Sequence, residues 1–168
     1  LESRYYVGNL DATEQEDGFI SVLHSADWFY RAFDTAGLHV AVTDDDAVAG
    51  FIAVTPPPPR SDPGLPSIVR AMLDLADTLD FNGRPIAQQR FAFRGPVCID
   101  KSARGRGVYS KFNTVTREAY RGRFDCGVLF VAADNVRSLH TTTTKLEATS
   151  LAVFGVDARQ FHFLAFDF

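Results

Sequence analysis

The sequence predicts an α/β fold built on one mixed, mostly antiparallel sheet. Three observations carry this. Strand-like runs crowd the middle and the end of the chain, and the compact apolar run 126–132 lies between two segments of helical periodicity. The strand–helix–strand order of the second half requires a parallel pair joined by a right-handed crossover. With 168 residues, 46% of them hydrophobic and 23% charged, the chain can bury one sizeable core. The expected organisation is a single domain over 1–168 with an inserted loop and helix at about 56–87.

Taken in order, Arg4-Tyr5-Tyr6-Val7 reads as a short strand. Thr13 and Glu16 have the spacing of a capping box, which predicts a helix over about 13–24. Ser25 caps a second helix bearing Trp28, Phe29, Ala32, Phe33 and Ala36, and Gly37 closes it. The runs 38–43 and 47–54 form a hairpin across Asp44-Asp45-Asp46, read as a solvated acidic turn. Pro56 to Pro59 interrupt the strands, and Ile68, Met72, Leu75 and Leu79 mark an amphipathic helix over about 66–80.

Gln88 to Asp100 is the next strand. Pro96 cannot donate a ladder hydrogen bond, so Gly95-Pro96 predicts a bulge or a splay there. Val108, Phe112, Val115 and Ala119 trace one face of a helix over about 107–121, ended near Gly122. Cys126 to Ala132 is a buried strand, a short helix follows Asn135, and strands at about 149–156 and 159–167 close the chain. Phe161 and Phe163 alternate as one inward face.

The formal charge of −4 argues against a protein dedicated to nucleic-acid backbone, and no nucleic-acid partner is expected. Yet Arg90, Arg94, Lys101, Arg104, Arg106, Lys111, Arg117, Arg121 and Arg123 cluster locally, which suits a small anionic ligand. Cys98 and Cys126 sit in apolar runs and read as buried thiols of a reducing compartment. With no Cys/His cluster, no metal is expected. No apolar run approaches the ~18 residues of a membrane span and no signal peptide opens the chain, so the expectation is a cytoplasmic protein away from membranes. The chain starts Leu1-Glu2, consistent with a processed or trimmed N-terminus.

The chemistry concentrates at Arg104-Gly105-Arg106-Gly107, between a strand and a helix. Glycines let backbone approach a ligand closely. The first helical turn offers unpaired N–H groups and the positive end of the dipole, a ready phosphate site, and arginines add charge-assisted bonds. The acidic total charge and the absence of repeated RGG set aside an RNA-contacting reading of this tetrapeptide.

The segment from Val97 to Val108, V-C-I-D-K-S-A-R-G-R-G-V, resembles the acetyl-CoA-binding motif of the GNAT acetyltransferases. Arg104 and Gly107 match the first and fourth positions of its Arg/Gln-x-x-Gly-x-Gly/Ala turn, and Tyr109 stands where the family has Gly or Ala. Val128 to Asn135 resembles the following strand, and Arg137-Ser138-Leu139 the start of the next helix. The resemblance implies a GNAT-like sheet with a splayed parallel pair and helices on both faces. It also implies acetyl-CoA as co-substrate, without a metal. Val97, Cys98 and Ile99 would bond the pantetheine through their backbone, and Arg104, Gly105, Arg106, Gly107, Val108 and Tyr109 would form the pyrophosphate turn. Across the gap Asn135 would contact the pantetheine by its side chain, with Ser138 also in the cofactor site.

The reaction implied is direct transfer of an acetyl group to an amine in a ternary complex. The family's usual Tyr acid falls at Thr142, within four consecutive threonines, and the family's Lys-Leu-Gly-Phe ending reads Lys145-Leu146-Glu147-Ala148. Thr142 or His140 are the candidate proton donors and Asp100 the candidate base. A domain that binds acyl-CoA without turnover is the alternative. The acceptor would be a small-molecule or peptide amine, with Trp28, Phe29, Tyr30 and Phe33 as candidate lining. The terminal Phe161, Phe163, Phe166 and Phe168 would offer apolar surface for a homodimer.

Overall fold

A computed structural model describes residues 1–35 and 37–168; the expectation for Ala36 lies outside the described residues. Six strands form one mixed sheet in the order β1-β2-β5-β6-β8-β7. They are β1 (Leu38–Val42), β2 (Val48–Thr55), β5 (Phe91–Ile99), β6 (Cys126–Ala132), β7 (Thr149–Val156) and β8 (Arg159–Phe166). A separate two-stranded ribbon, β3 (Asp80–Phe81) and β4 (Arg84–Pro85), turns through Asn82 and Gly83, both at positive φ. That is the Asn-Gly signature of a tight hairpin. The helices are α1 (Ala12–Glu16), α2 (Ala26–Thr35), α3 (Ser67–Ala76), α4 (Val108–Tyr120) and α5 (Val136–Lys145).

β5 and β6 run parallel but pair only at Phe91–Cys126, Ala92–Gly127 and Phe93–Val128. From Arg94 onward β5 stays with β2 as far as Ile99–Gly50, while β6 stays with β8 as far as Ala132–Phe161. The two strands diverge where Gly95 takes φ +134° and Pro96 lacks an N–H, and the register to β2 shifts at the same point. The splay follows from that dipeptide.

The interior is rich in aromatic rings and falls into several clusters. Met72 and Leu73 of α3 pack with Phe81, Ile86, Phe91, Val128 and Phe163 on one side of the sheet. Leu129, Leu146, Leu164 and Phe166 form a second cluster, joined by Tyr109 of α4 and Leu139 of α5. Ser25 caps α2 through its hydroxyl, and Gly37 turns the chain into β1 by donating to Ala32 O.

Several local expectations are corrected. Arg4 to Val7 is no strand: the segment makes two 3₁₀ turns with a single bridge between Tyr6 and Ile20. The first capping box is Asp11/Glu14, and α1 stops at Glu16 because Gly18 at φ +90° turns the chain out of the helix. Residues 19–24 then run irregularly across the sheet. α3 ends at Ala76, so its buried face is Ile68, Met72, Leu73 and Ala76, with Leu75 and Leu79 half-buried.

The buried face of α4 is Phe112, Asn113, Thr116 and Tyr120, leaving Val115 exposed. Polar Asn113 and Thr116 can be buried because each is hydrogen-bonded, to Arg94 and Lys145 in one case and to the helix's own Phe112 carbonyl in the other. β8 lies between β6 and β7 and is covered on both faces, so its alternation lapses after His162. Phe161, Phe163 and Phe166 are therefore internal and offer no dimer surface.

Gly127 shows how tightly β6 meets β8. A Cβ there would lie 2.2 Å from the ring of Phe166, which is fully buried. Gly127→Ala is expected to lower unfolding free energy by about 1–3 kcal/mol through overpacking. Denaturant titration measures this; an unchanged midpoint would mean the ring relocates freely.

Candidate functional site

A cleft of about 920 Å³ opens at the splay, bounded by Phe93–Ile99 of β5 and Leu129–Ala132 of β6. One edge of β5 is occupied by β2; its other edge, from Arg94 on, faces the gap left by β6. An extended ligand can add there as a pseudo-strand. Val97, Cys98 and Ile99 all line the cleft. Cys98 is buried and burial pushes its thiol up to about 12, so its contribution is backbone and shape, not nucleophilicity.

At the cleft's mouth the turn Gly105–Gly107 leads into α4. Gly105 and Gly107 hold φ of +75° and +81°, and a Cβ built on either meets nothing within 4 Å. The N-cap is Gly107 and has no side-chain cap; the first helical bond along the chain is Lys111 N–H to Gly107 O. The N–H groups of Val108, Tyr109 and Ser110 precede it, at the positive end of a 13-residue helix. Gly105, Gly107, Val108, Tyr109 and Ser110 line the cleft, and Arg106 is exposed on the turn beside them. Open space over a glycine turn at an uncapped helix start can receive a phosphate group.

Arg104 is used differently from the expectation. Its Nε donates to Ile99 O (3.0 Å), its Nη1 to Asp17 O (2.7 Å), and its guanidinium stacks on Tyr5. It holds the loop and the segment after α1 together. Asp17 completes that junction by pairing with Lys101 (2.6 Å) and Arg137 (2.8 Å), and Lys101 draws its carboxyl below the usual range. Asn135 is likewise structural as well as cleft-lining. Its Oδ1 accepts from Ser138 N–H to cap α5, and its Nδ2 donates to Phe19 O. Ser138 lines the cleft too.

The three candidate catalytic residues separate. Thr142 is buried and lines the cleft. His140 is exposed on α5 outside the lining, where its carbonyl accepts from Thr143 and Thr144 hydroxyls. Asp100 is also outside the lining and is fully engaged: it accepts from Ser102 N–H and Oγ, from Tyr5 OH and from Arg4. The Ser102 bonds, helped by Tyr5 and Arg4, hold its carboxyl down at about 2, far too low for a base at neutral pH. Asp100 is a cap.

Two groups were not singled out as site residues from the sequence, although Arg94 belongs to its basic cluster. His24 lines the cleft with its Nδ1 2.7 Å from Glu2 Oε1, while its backbone N–H donates to Glu2 Oε2 (2.9 Å) and Trp28 stacks on its ring at 4.0 Å. A carboxylate at Nδ1 leaves Nε2 as the ring nitrogen available to the cleft. The two residues are 22 apart, with His24 expected at the end of a helix and Glu2 outside it, so no local signal could link them. The second is Arg94, buried at the floor of the cleft. It donates to Asn113 Oδ1 (2.7 Å) and Tyr109 OH (3.4 Å), and burial pushes its pKa down, opposed by Tyr109. Of the α2 aromatics, Trp28 lines the cleft, Phe29 packs on Phe51, and Tyr30 and Phe33 are exposed.

No family model matches this sequence, and no curated protein matches it. Solved structures do. A chain of the NatC complex bound to Gag peptide and CoA matches over 92% of this chain and 87% of that one, at a TM-score of 0.59 and 13% identity. A GNAT-family acetyltransferase from Streptococcus agalactiae covers 77% and 64%, at 0.53 and 14%. Spermidine N-acetyltransferase SpeG, as a chimera of the Vibrio cholerae and hSSAT proteins, covers 86% and 80%, at 0.52 and 11%. The chain has the GNAT acetyltransferase fold. Among the described residues no helix is long and apolar enough to cross a membrane.

Asp100 gives a test in acid. Its folded pKa of about 2 lies below the ~3.9 of an unfolded Asp. A depressed carboxyl contributes stability that is present above the unfolded value and lost as pH falls toward the folded one. Asp100→Asn is therefore expected to flatten the fall in Tm between about pH 4 and 2. An acid limb as steep as wild type would show that Asp100 is not held by these contacts.

Proposed function

We propose that this chain is an acetyl-CoA-dependent N-acyltransferase acting on an amine, folded as one GNAT-like domain with residues 56–87 as an insertion. The observation that supports it most is the splayed β5/β6 gap ending at an uncapped, glycine-opened helix start. A thioester bound with its phosphates on Gly105–Ser110 and its pantetheine along Val97–Ile99 would bring its carbonyl toward the bulge at Gly95-Pro96. Backbone N–H groups there would polarise the carbonyl oxygen.

The amine attacks the thioester carbonyl carbon, a C–N bond forms and the C–S bond breaks. An alkylammonium with pKa ~10.4 loses its proton at neutral pH at a cost of about 4–5 kcal/mol. His24 Nε2 is the base that accepts it, with Glu2 fixing the ring and stabilising the imidazolium that results. The departing thiolate takes a proton from Thr142 or water in the cleft. The acceptor would enter beside His24 and Trp28.

Calorimetry with acetyl-CoA, followed by thiol release with a panel of amines, tests the reading. Binding with amine-dependent release supports an enzyme. Binding with release no faster than buffer means an acyl-CoA-binding domain without turnover, which Thr142 in place of the family's tyrosine would favour. No binding at millimolar acetyl-CoA would sink both. For an active protein, His24→Gln is expected to lower kcat by roughly 10²–10⁴ with acetyl-CoA affinity unchanged, as for a general base. Glu2→Gln should lower kcat by less.

A further inference from the structure

We infer that Arg94 is the receptor for a carboxylate carried by a substrate in the cleft. Arg94 is 4% exposed and lines the cleft at the point where β5 leaves β6. Among the described residues no acidic side chain forms an ion pair with it. Its direct contacts are neutral: Asn113 Oδ1, Tyr109 OH, and the ring faces of Tyr109 and Phe166 at 5.2 and 5.8 Å; the charged neighbour that acts on it, Arg117, is of like sign. Its Nε–H is buried without any partner.

A guanidinium taken out of water without a counter-ion is costly, and a buried orphan N–H adds to that cost. The surrounding groups nevertheless orient it. Asn113 spends its Nδ2 on Lys145 O, which presents its oxygen to Arg94. The two ring faces hold the guanidinium plane. With Asn113 and Tyr109 satisfied, Nε–H and one hydrogen on each Nη remain. These match the planar, two-oxygen geometry of a carboxylate. One buried positive charge balances one negative charge, so a monoanionic carboxylate suits it better than a dianionic phosphate. The phosphates of the proposed co-substrate have their own place on Gly105–Ser110.

On the acyltransferase reading, on which this inference rests for its setting, the carboxylate comes from one of two sources. It is the far end of a dicarboxylic acyl group, or it is the carboxylate of an amino-acid acceptor. In the first arm, succinyl-CoA is compared with butyryl-CoA, which has the same chain length and a methyl terminus. In the second, acetyl-CoA is fixed, and leucine is compared with isopentylamine, and phenylalanine with phenethylamine. The source is the arm in which wild type favours the carboxylate by roughly 10- to 100-fold, the range of a charge-assisted bond. Arg94→Gln should abolish that preference and Arg94→Lys should keep part of it.

Free glutarate, read by its effect on Tm, gives a readout that does not depend on acyl transfer. Stabilisation by glutarate in wild type and its loss in Arg94→Gln would support the carboxylate site even if no acyl-CoA binds. Should Arg94→Gln fail to fold, the wild-type comparisons decide. Equal affinity for charged and neutral ligands in both arms, with no glutarate effect, overturns the inference.

Discussion

The structure depends on a pair of strands that start together and cannot stay together. β5 and β6 share three residue pairs, and then Gly95-Pro96 removes a donor and bends β5 away. The gap persists because each strand is held on its far side, β5 by β2 and β6 by β8. Neither can swing across to close it without abandoning a ladder. The result is an exposed strand edge inside a fold, with backbone groups that need a partner and only a narrow, extended shape able to supply one.

The cations around this gap are handled in two ways. At the mouth, Lys101 and Arg137 converge on Asp17, and Arg104 takes backbone oxygens at Asp17 and Ile99. These bonds fasten the segment after α1 to the α4 loop and to α5, forming one wall. Being largely exposed, the ion pairs act more by setting geometry than by adding stability. Deeper in, Arg94 has neutral partners only, so its charge is not cancelled within the fold. A low-dielectric floor with an uncancelled cation attracts anions more strongly than the net charge of −4 suggests.

Across the cleft, Glu2 and His24 make a paired set on the side that Trp28 walls. Their pairing ties the start of the chain to the segment before α2. His24, the glycine turn and the buried Arg94 thus come from three separate stretches of sequence, and the splay is what brings them to one space.

Features governed by neighbours in the chain were legible beforehand. The β1–β2 hairpin, the bulge at Gly95-Pro96, the uncapped turn into α4, β6 to the residue, and the cap at Ser25 all depend on local φ/ψ preferences or on period. What periodicity could not give was which polar groups would be buried. Asn113 and Thr116 displaced Val115 from the inner face of α4 because Arg94 and a helix carbonyl satisfy them, and Arg94 comes from another strand. Asp100 and Arg104 kept their predicted positions, but distant partners fixed their side chains. The sequence by itself determined the strands of the main sheet and the glycine turn into α4, because those follow from short-range geometry. Only the tertiary structure decided which charges are neutralised, which are stranded, and which histidine meets a carboxylate, because each needs two groups far apart in the chain.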